Sequence, residues 1–290
     1  MRNDPYKIVT DVILKRLEQG DIPWKKPWRA DTELPRNMFN HNPYSGINIW
    51  LLLAQGYDNP YWASYKQISE KGGFIKKGEK ATPVVFWKKY QKLEENSDGE
   101  EVEKTFFTLR YWPVFNYSQT TGLKFADIKE IEPQPMLDPT LTIERAKNVI
   151  SGFKDKPLIE HGKGLACYFS EKDLVFMPSK ESFFSIEEYY ATLFHELSHS
   201  TGHVSRLGRK LGSKKSSMDY AFEELIAEFS ASYLCGISNI MTSKSIDNHA
   251  AYIKSWHKRL SENPKYIVQA CSKGMKSANY ILGIKEKDYE

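Results

Sequence analysis

Apolar residues at helical spacing open the chain: Ile8, Val12 and Leu17 recur between Asp4-Pro5, an N-cap followed by a first-turn proline, and Gly20. They predict a helix over residues 4–18. The next stretch, Ile22-Pro-Trp-Lys-Lys-Pro-Trp28, is too rich in proline for regular structure. Two further helices are predicted, at about Ile47–Gln55, closed by Gly56, and at Ser64–Glu70, stopped by Gly72-Gly73. The β-rich runs Thr82–Tyr90 and Lys104–Asn116 flank a polar segment containing Asp98-Gly99, the pattern of a hairpin with a long solvated tip. Residues 127–140 hold Pro133, Pro135 and Pro139 without periodicity and read as a linker between two domains, 1–126 and 141–290. Beyond it a helix is expected over Ile143–Ser151, then two short strands at Leu165–Phe169 and Leu174–Met177.

Helical periodicity is strongest in the second half. Ser185-Ile-Glu-Glu188 has the form of a capping box, and Ile186, Tyr189, Leu193 and Leu197 follow at helical spacing. Gly202 is expected at the left-handed position that ends such a helix. A longer helix runs over Met218–Leu234, with Phe222, Leu225, Ile226 and Phe229 on its apolar side and Glu223, Glu224 and Glu228 within it.

The first of these helices carries His195-Glu196-Leu197-Ser198-His199. Residues four apart on a helix share a face, so His195 and His199 can grip one metal ion, with Glu196 beside them as a proton acceptor. The third ligand sets the subclass. The pattern HExxHxxGxxH would need a histidine at 205, and that residue is Ser205; His203 comes two residues too early. The alternative is a glutamate of the following helix. Glu224 is assigned as the third ligand, with Glu223 in reserve, and Glu228, one turn on, as the carboxylate that orients a ligand histidine through its free ring N–H. The chemistry expected is that of a gluzincin-type peptidase with one Zn2+ per chain. Nuclease chemistry fits less well, since it commonly uses two metals about 4 Å apart. His203 and Arg206 read as helix-end groups, and His249, Tyr252 and His257 as structural side chains, one of which could alternatively face an oxyanion.

Composition divides the chain in two. The 290 residues carry a net charge of +4, with 19 Lys and Arg against 15 Asp and Glu in residues 1–125 and 22 of each thereafter. Six of the seven tryptophans lie in the first part. There cations alternate with aromatics: Trp24-Lys25-Lys26-Pro-Trp28, Trp62 with Lys66 and Gln67, Phe74 with Lys76, Lys77 and Lys80, and Phe86-Trp-Lys-Lys-Tyr90. Cations that track phosphates and rings that stack on bases are what single-stranded nucleic acid requires. Trp24 and Trp28, in the irregular segment, are expected to be exposed; for Trp62 and Trp87 a place in the core competes. Three scattered cysteines, Cys167, Cys235 and Cys271, form no CxxC pair and read as small buried hydrophobes in a reducing cytoplasm. No secretory signal or membrane-spanning run is expected, so no membrane partner is.

An ordered series of motifs carries a family resemblance. Pro43-Tyr-Ser-Gly-Ile-Asn48, Trp62-Ala-Ser-Tyr-Lys-Gln67, Gly73-Phe-Ile-Lys-Lys-Gly-Glu-Lys80, Val85-Phe-Trp87 and Val114-Phe-Asn-Tyr-Ser-Gln119 together resemble the N-terminal domain of ArdC-type antirestriction proteins. His195–His203 and Tyr220–Glu228 are similar to the zincin-like domain that follows it in that family. The resemblance implies an α+β chain of two domains: an N-terminal α+β single-strand DNA-binding domain with a small antiparallel sheet, and a C-terminal metallopeptidase domain. Asn48, Asn116 and Gln119 join the expected DNA-binding set through it. It implies carriage on a mobile element and protection of incoming DNA from restriction; it names no substrate, for which a protein of the host's restriction or defence machinery is one candidate. The N-terminal domain also occurs beside plasmid primases.

Overall fold

In the computed structural model the described residues are 4–25, 28, 34–95, 101–123, 139–211, 218–241 and 249–284. Helix α1 (Pro5–Glu18) starts where Asp4 accepts a hydrogen bond from the Tyr6 amide at 3.0 Å, and buries Val9, Ile13 and Leu17. Helix α2 (Ile47–Leu53) is apolar on nearly every side and is buried accordingly. Asn48 within it is spoken for: its amide donates to the Val85 carbonyl and accepts from the Val85 amide, both at 2.8 Å, as a neighbouring strand would.

A four-stranded sheet runs in the order β1 (Arg36–Asn37), β2 (Tyr61–Ser64), β5 (Glu101–Asn116), β4 (Thr82–Glu95), antiparallel except for the β1–β2 pair. Helix α3 (Tyr65–Glu70) leaves β2 through a reciprocal cap between Ser64 and Gln67. Strands β3 (Phe74–Ile75) and β6 (Thr120–Thr121) make a separate pair. The β4–β5 ribbon stays in register from Thr82 opposite Val114 to Glu95 opposite Glu101. Its base is buried at Val84, Val85, Leu109 and Val114, whereas both of its faces further out are exposed.

The second half begins with α4 (Pro139–Gly152), so the last two residues of the expected linker are helical, and residues 127–138 of it lie outside the described residues. Strand β7 (Leu158–Gly162), too polar in its exposed positions to be expected from the sequence, pairs parallel with β9 (Leu174–Pro178), which pairs antiparallel with β8 (Cys167–Phe169). Helices α5 (Ile186–Ser200), α6 (Met218–Ser238), α7 (His249–Glu262) and α8 (Tyr266–Leu282) follow. The Ser185 hydroxyl accepts from the Glu188 amide at 3.2 Å. Gly202, however, does not turn left-handed. It is small for a different reason: a Cβ there would collide with Leu211 and press on the Arg209 guanidinium. Helices α5, α6 and α8 approach closely through buried hydroxyls, with Ser198 donating to Ser230 at 2.8 Å and Ser230 to Ser277 at 3.1 Å. No described helix is long and apolar enough to cross a membrane.

One core cluster joins the halves. Val9, Ile13, Leu17, Trp24, Trp28 and Trp50 pack with Leu225, Ile226 and Phe229 of α6, Trp256 and Leu260 of α7, and Ile267 of α8. This corrects the expected exposure of two tryptophans. Trp24 is 1% exposed, lies 5.4 Å from the Phe229 ring, and donates its indole N–H to Glu228 at 2.6 Å. Trp28 is 3% exposed and fills the space left by Gly236, where a Cβ would come within 2.6 Å of its ring. Trp62 is core as well, with Tyr44, Leu52, Val84 and Val114. Of the cysteines only Cys271 is fully buried; Cys235 is half-buried, and Cys167 on β8 is exposed, contrary to expectation.

Candidate metal centre and nucleic-acid face

Helix α5 places His195 and His199 on one face, and α6 crosses it so that Glu224 meets both. The two Nε2 atoms are 3.1 Å apart, and each lies 3.5 Å from an oxygen of Glu224. Three ligands held about 2.0–2.1 Å from a tetrahedral ion stand roughly 3.3 Å from one another, so this donor triangle fits a divalent metal. Among the described residues it is the one cluster of its kind. Burial alone would lower the His195 pKa, but Glu224, Glu196 and Glu228 around it outweigh burial and raise it. Burial would raise the Glu224 pKa, yet the His195 hydrogen bond and the two histidine charges bring it to about 2. Glu196 is buried in the same wall of α5.

The carboxylate behind the ligands is not the expected one. His199 turns its Nδ1 to Glu223 Oε1 at 3.3 Å, and Glu223 is 2% exposed. Arg209 grips Glu223 with two bonds, 3.0 Å from Nε and 2.7 Å from Nη2, while donating to Thr201 Oγ1 at 2.7 Å and the Ser198 carbonyl at 3.0 Å. Burial pushes the Glu223 carboxyl up, and the Arg209 and His199 contacts overcome this and lower it. Glu223, held in reserve as third ligand, thus lies behind His199 and not among the three metal-facing groups. Glu228, a turn further along α6, reaches the N-terminal half through Trp24 and through Lys25 at 3.4 Å, and its charge also acts on His195.

Sequence reasoning missed Arg209, which lies in an irregular turn after α5 with no periodicity to point at it. It also missed Tyr220, whose hydroxyl hydrogen-bonds Glu224 and whose pKa is raised by burial and then by that bond. Arg206 behaves as a helix-end group, donating to the Ser200 carbonyl at 3.0 Å and pairing with Asp173 at 2.8 Å. His257 meets Glu18 of α1 at 3.1 Å, far from an oxyanion role; the side chains of His249 and Tyr252 lie outside the described residues.

The expected DNA-binding residues divide. Asn116 is fully buried, donating to the Asn59 carbonyl at 2.7 Å, and Gln119 donates at 2.9 Å to both Glu79 and the Lys80 carbonyl, so both build the fold. With Trp24, Trp28, Trp62 and Asn48 they leave the list of surface groups. Lys66, Lys76, Lys77 and Lys80 are exposed, Gln67 is half-buried, and Lys26 lies outside the described residues. The densest aromatic surface is elsewhere, on the β4–β5 ribbon: Phe86, Trp87, Tyr90, Phe107, Tyr111 and Trp112 are all 40% exposed or more. Among them stand Lys88, Lys89 and Arg110, which have no ion-pair partner among the described residues. The signal that could have found Trp112 and Arg110 is the alternation of β5 continued to its C-terminal end.

Comparison with known proteins gives a consistent picture. Residues 3–115 match the family model described as the N-terminal domain of anti-restriction factor ArdC, and residues 145–273 that of a zincin-like metallopeptidase. Two Escherichia coli proteins named DNA primase TraC are each 33% identical over 98% of this chain, which spans 20% of one and 28% of the other. Protein y4eC of Sinorhizobium fredii is 31% identical, with 96% of this chain and 91% of that protein covered. Two crystal structures of the antirestriction ArdC protein of plasmid R388 are similar. The metal-free form has a TM-score of 0.71 at 34% identity, with 95% of this chain and 96% of that one covered. The Mn(II)-bound form has a TM-score of 0.72 at 30% identity, with 98% and 99% covered.

Proposed function

Since this chain belongs to the ArdC antirestriction family, we propose that it is a metal-dependent peptidase that also holds single-stranded DNA, and so protects the incoming DNA of a mobile element from host restriction in the cytoplasm. The observation that carries the reading is the donor triangle of His195, His199 and Glu224 with Glu196 in the same wall. These three residues would hold one divalent ion, Zn2+ by the character of a two-histidine, one-carboxylate set. When bound, such an ion supplies a Lewis acid for a scissile carbonyl and makes water a better nucleophile near neutral pH. Glu196 accepts a proton at its carboxylate as water attacks and returns it to the departing amine nitrogen. Glu223, fixed by Arg209, keeps the His199 ring aimed at the metal-facing side, and the Tyr220 hydroxyl steadies Glu224. A protein of the host's restriction or defence machinery is the substrate this chemistry would take.

The test is a conjugation assay into a restricting host with Glu196→Gln, a change that spares the metal-facing donors. Loss of protection at undiminished metal content supports peptidase action. Full protection by the variant would sink it and favour the second reading, in which the chain protects by coating the strand. That reading has its own support in the exposed rings and cations of the β4–β5 ribbon. Charge reversal at Lys88 and Lys89, or at Lys76, Lys77 and Lys80, would then abolish protection.

A further inference from the structure

At the root of the β4–β5 ribbon lies a cavity of about 400 Å³, in the size range of sites for small ligands. Three rings wall it: Tyr44, Phe86 and Trp112. Phe86 sits 6.2 Å from Tyr44 and 5.6 Å from Trp112, between centroids. Carboxamides face them from the rim, among them Asn40, Asn42 and Gln67. No charged side chain lines the cavity. Burial pushes the Tyr44 hydroxyl up to about 12, against a hydrogen bond with Asn37, so it stays neutral.

Gln67 Oε1 is occupied by the Ser64 amide at 3.0 Å, the Ser64 hydroxyl at 3.1 Å and Asn37 Nδ2 at 3.4 Å. Its Nε2, with two N–H groups, has no partner among the described residues. Asn40 Oδ1 accepts from the Asn42 backbone amide at 3.0 Å, which leaves Asn40 Nδ2 and the whole Asn42 carboxamide open in the same way. The turn that presents them is held in one shape. His41 has a φ of +59°, and just before it Asn37 Oδ1 accepts from the backbone amides of Phe39 and Asn40, at 3.0 and 3.2 Å.

A site with aromatic walls, an uncharged lining and carboxamides with open donors selects a flat, neutral group that has a hydrogen-bonding edge. What leads into it is positive. On the ribbon face that bears Phe86, the paired positions outward are Arg110, then Lys88, then the stacked rings of Tyr90 and Phe106 at 5.5 Å. A neutral planar edge on a polyanionic chain describes one nucleobase of a single strand. We propose that this cavity takes one unstacked base of the bound strand and reads its edge through Gln67, Asn40 and Asn42, giving the protein a base preference. The proposal rests on the reading of the ribbon as the single-strand DNA face.

The experiment measures binding of labelled 20-nucleotide dT, dC, dA and fully abasic strands by fluorescence anisotropy, across a salt series. Gln67→Glu retains the oxygen that caps α3 and replaces the open N–H donors by an acceptor; Trp112→Ala removes a wall. The intact protein should bind its best homopolymer about 10-fold more tightly than its worst, a spread that one good polar contact to a base edge supplies. Gln67→Glu should change that order of preference and leave the abasic strand and the salt slope as they were. Trp112→Ala should weaken homopolymers by about 10-fold and the abasic strand hardly at all. Equal binding of all homopolymers, or a preference that survives both variants, overturns the base pocket while the ribbon reading stands. Failure of every strand to bind with salt-dependent affinity removes the ribbon reading as well.

Discussion

Helix α6 and the β4–β5 ribbon carry the groups of the two proposed activities, and they treat the same residue types in opposite ways. Three acids of α6 are buried or half-buried and have fixed partners: Glu223 has Arg209 and His199, Glu224 has the histidine pair, and Glu228 has Trp24. On the ribbon Lys88, Lys89 and Arg110 stand in solvent beside exposed rings, with a single layer of backbone behind them. A metal needs ligands preorganised within tenths of an ångström, so the protein surrounds them. A flexible strand needs a face that it can approach from outside, so the protein leaves it open. Tryptophan shows the contrast most plainly. Trp24 and Trp50 tie the N-terminal half to α6 by their indole N–H groups, at 2.6 Å to Glu228 and 3.3 Å to Ser232, whereas Trp87 and Trp112 are 52% and 41% exposed.

The largest effect should follow Arg209→Met. It leaves Glu223 buried without its cation, which typically costs about 3–5 kcal/mol, and it frees the His199 ring. We expect a fall in melting temperature on the order of 10 °C, and a metal affinity lowered about 10–100-fold in calorimetric titration. Affinity for single-stranded DNA should stay within about twofold. A parallel loss of DNA binding would show that α6 and the ribbon are coupled through Trp24 and not independent.

Next comes the exchange of roles between tryptophans. Trp24→Ala should cost about 3–5 kcal/mol by opening a cavity between the halves, seen as a shift in denaturant midpoint without change in slope. Trp87→Ala should leave the midpoint almost unmoved and weaken DNA binding about 5–10-fold. Should Trp87 prove the more destabilising of the two, the division between buried and open aromatics drawn from their exposures is wrong.

The same contrast accounts for what the sequence could and could not reveal. His195, Glu196, His199 and Glu224 were legible because their geometry is local: one helical repeat aligns the histidines, and the acid lies on the next strongly periodic helix. The hairpin was legible from alternation. Illegible were the features that depend on how elements meet. That Glu223 meets His199 Nδ1 while Glu228 bonds Trp24 depends on how α5 and α6 cross, which decides which carboxylate faces His199. Trp24 and Trp28 look like exposed groups in an irregular, proline-rich segment; their burial comes from Phe229 and Gly236, some 200 residues on. Asn48, Asn116 and Gln119 have the look of polar groups for a ligand, yet they satisfy backbone groups inside the fold. A polar residue in a motif is silent on whether its partner is the solvent, a ligand or the chain itself.

A smaller effect tests the ribbon's electrostatics alone. Lys88 and Lys89 sit in the open, so replacing both by alanine should lower the slope of log Kd on log salt concentration by about 0.7 for each phosphate they would otherwise neutralise. The melting temperature and the metal stoichiometry should not change. An unaltered slope would place the strand on another surface, with the Lys76–Lys80 turn the next to test.

The smallest effect concerns acid. The N-terminal ion pairs within helices, Lys7 with Asp11 and Lys66 with Glu70, have side chains 54–84% exposed and contribute little. In the C-terminal half, Asp173 meets Arg206, whose own side chain is 3% exposed, at 2.8 Å. The hydrogen bonds from Arg206 hold the Asp173 carboxyl below the usual carboxylate range, against its partial burial. A carboxyl depressed in the folded state contributes stability that is fully present above its unfolded pKa of about 3.9 and fades as the pH falls through the folded value. Asp173→Asn should therefore lower stability at pH 7 by at most about 1 kcal/mol, since a third of the side chain meets solvent. As the pH falls from the unfolded value through the folded one, the variant and the parent should converge. Convergence would show that the helix-end turn behind His199 contributes to acid sensitivity, while a gap constant from pH 7 to pH 3 would mean that Asp173 acts through packing and not through charge.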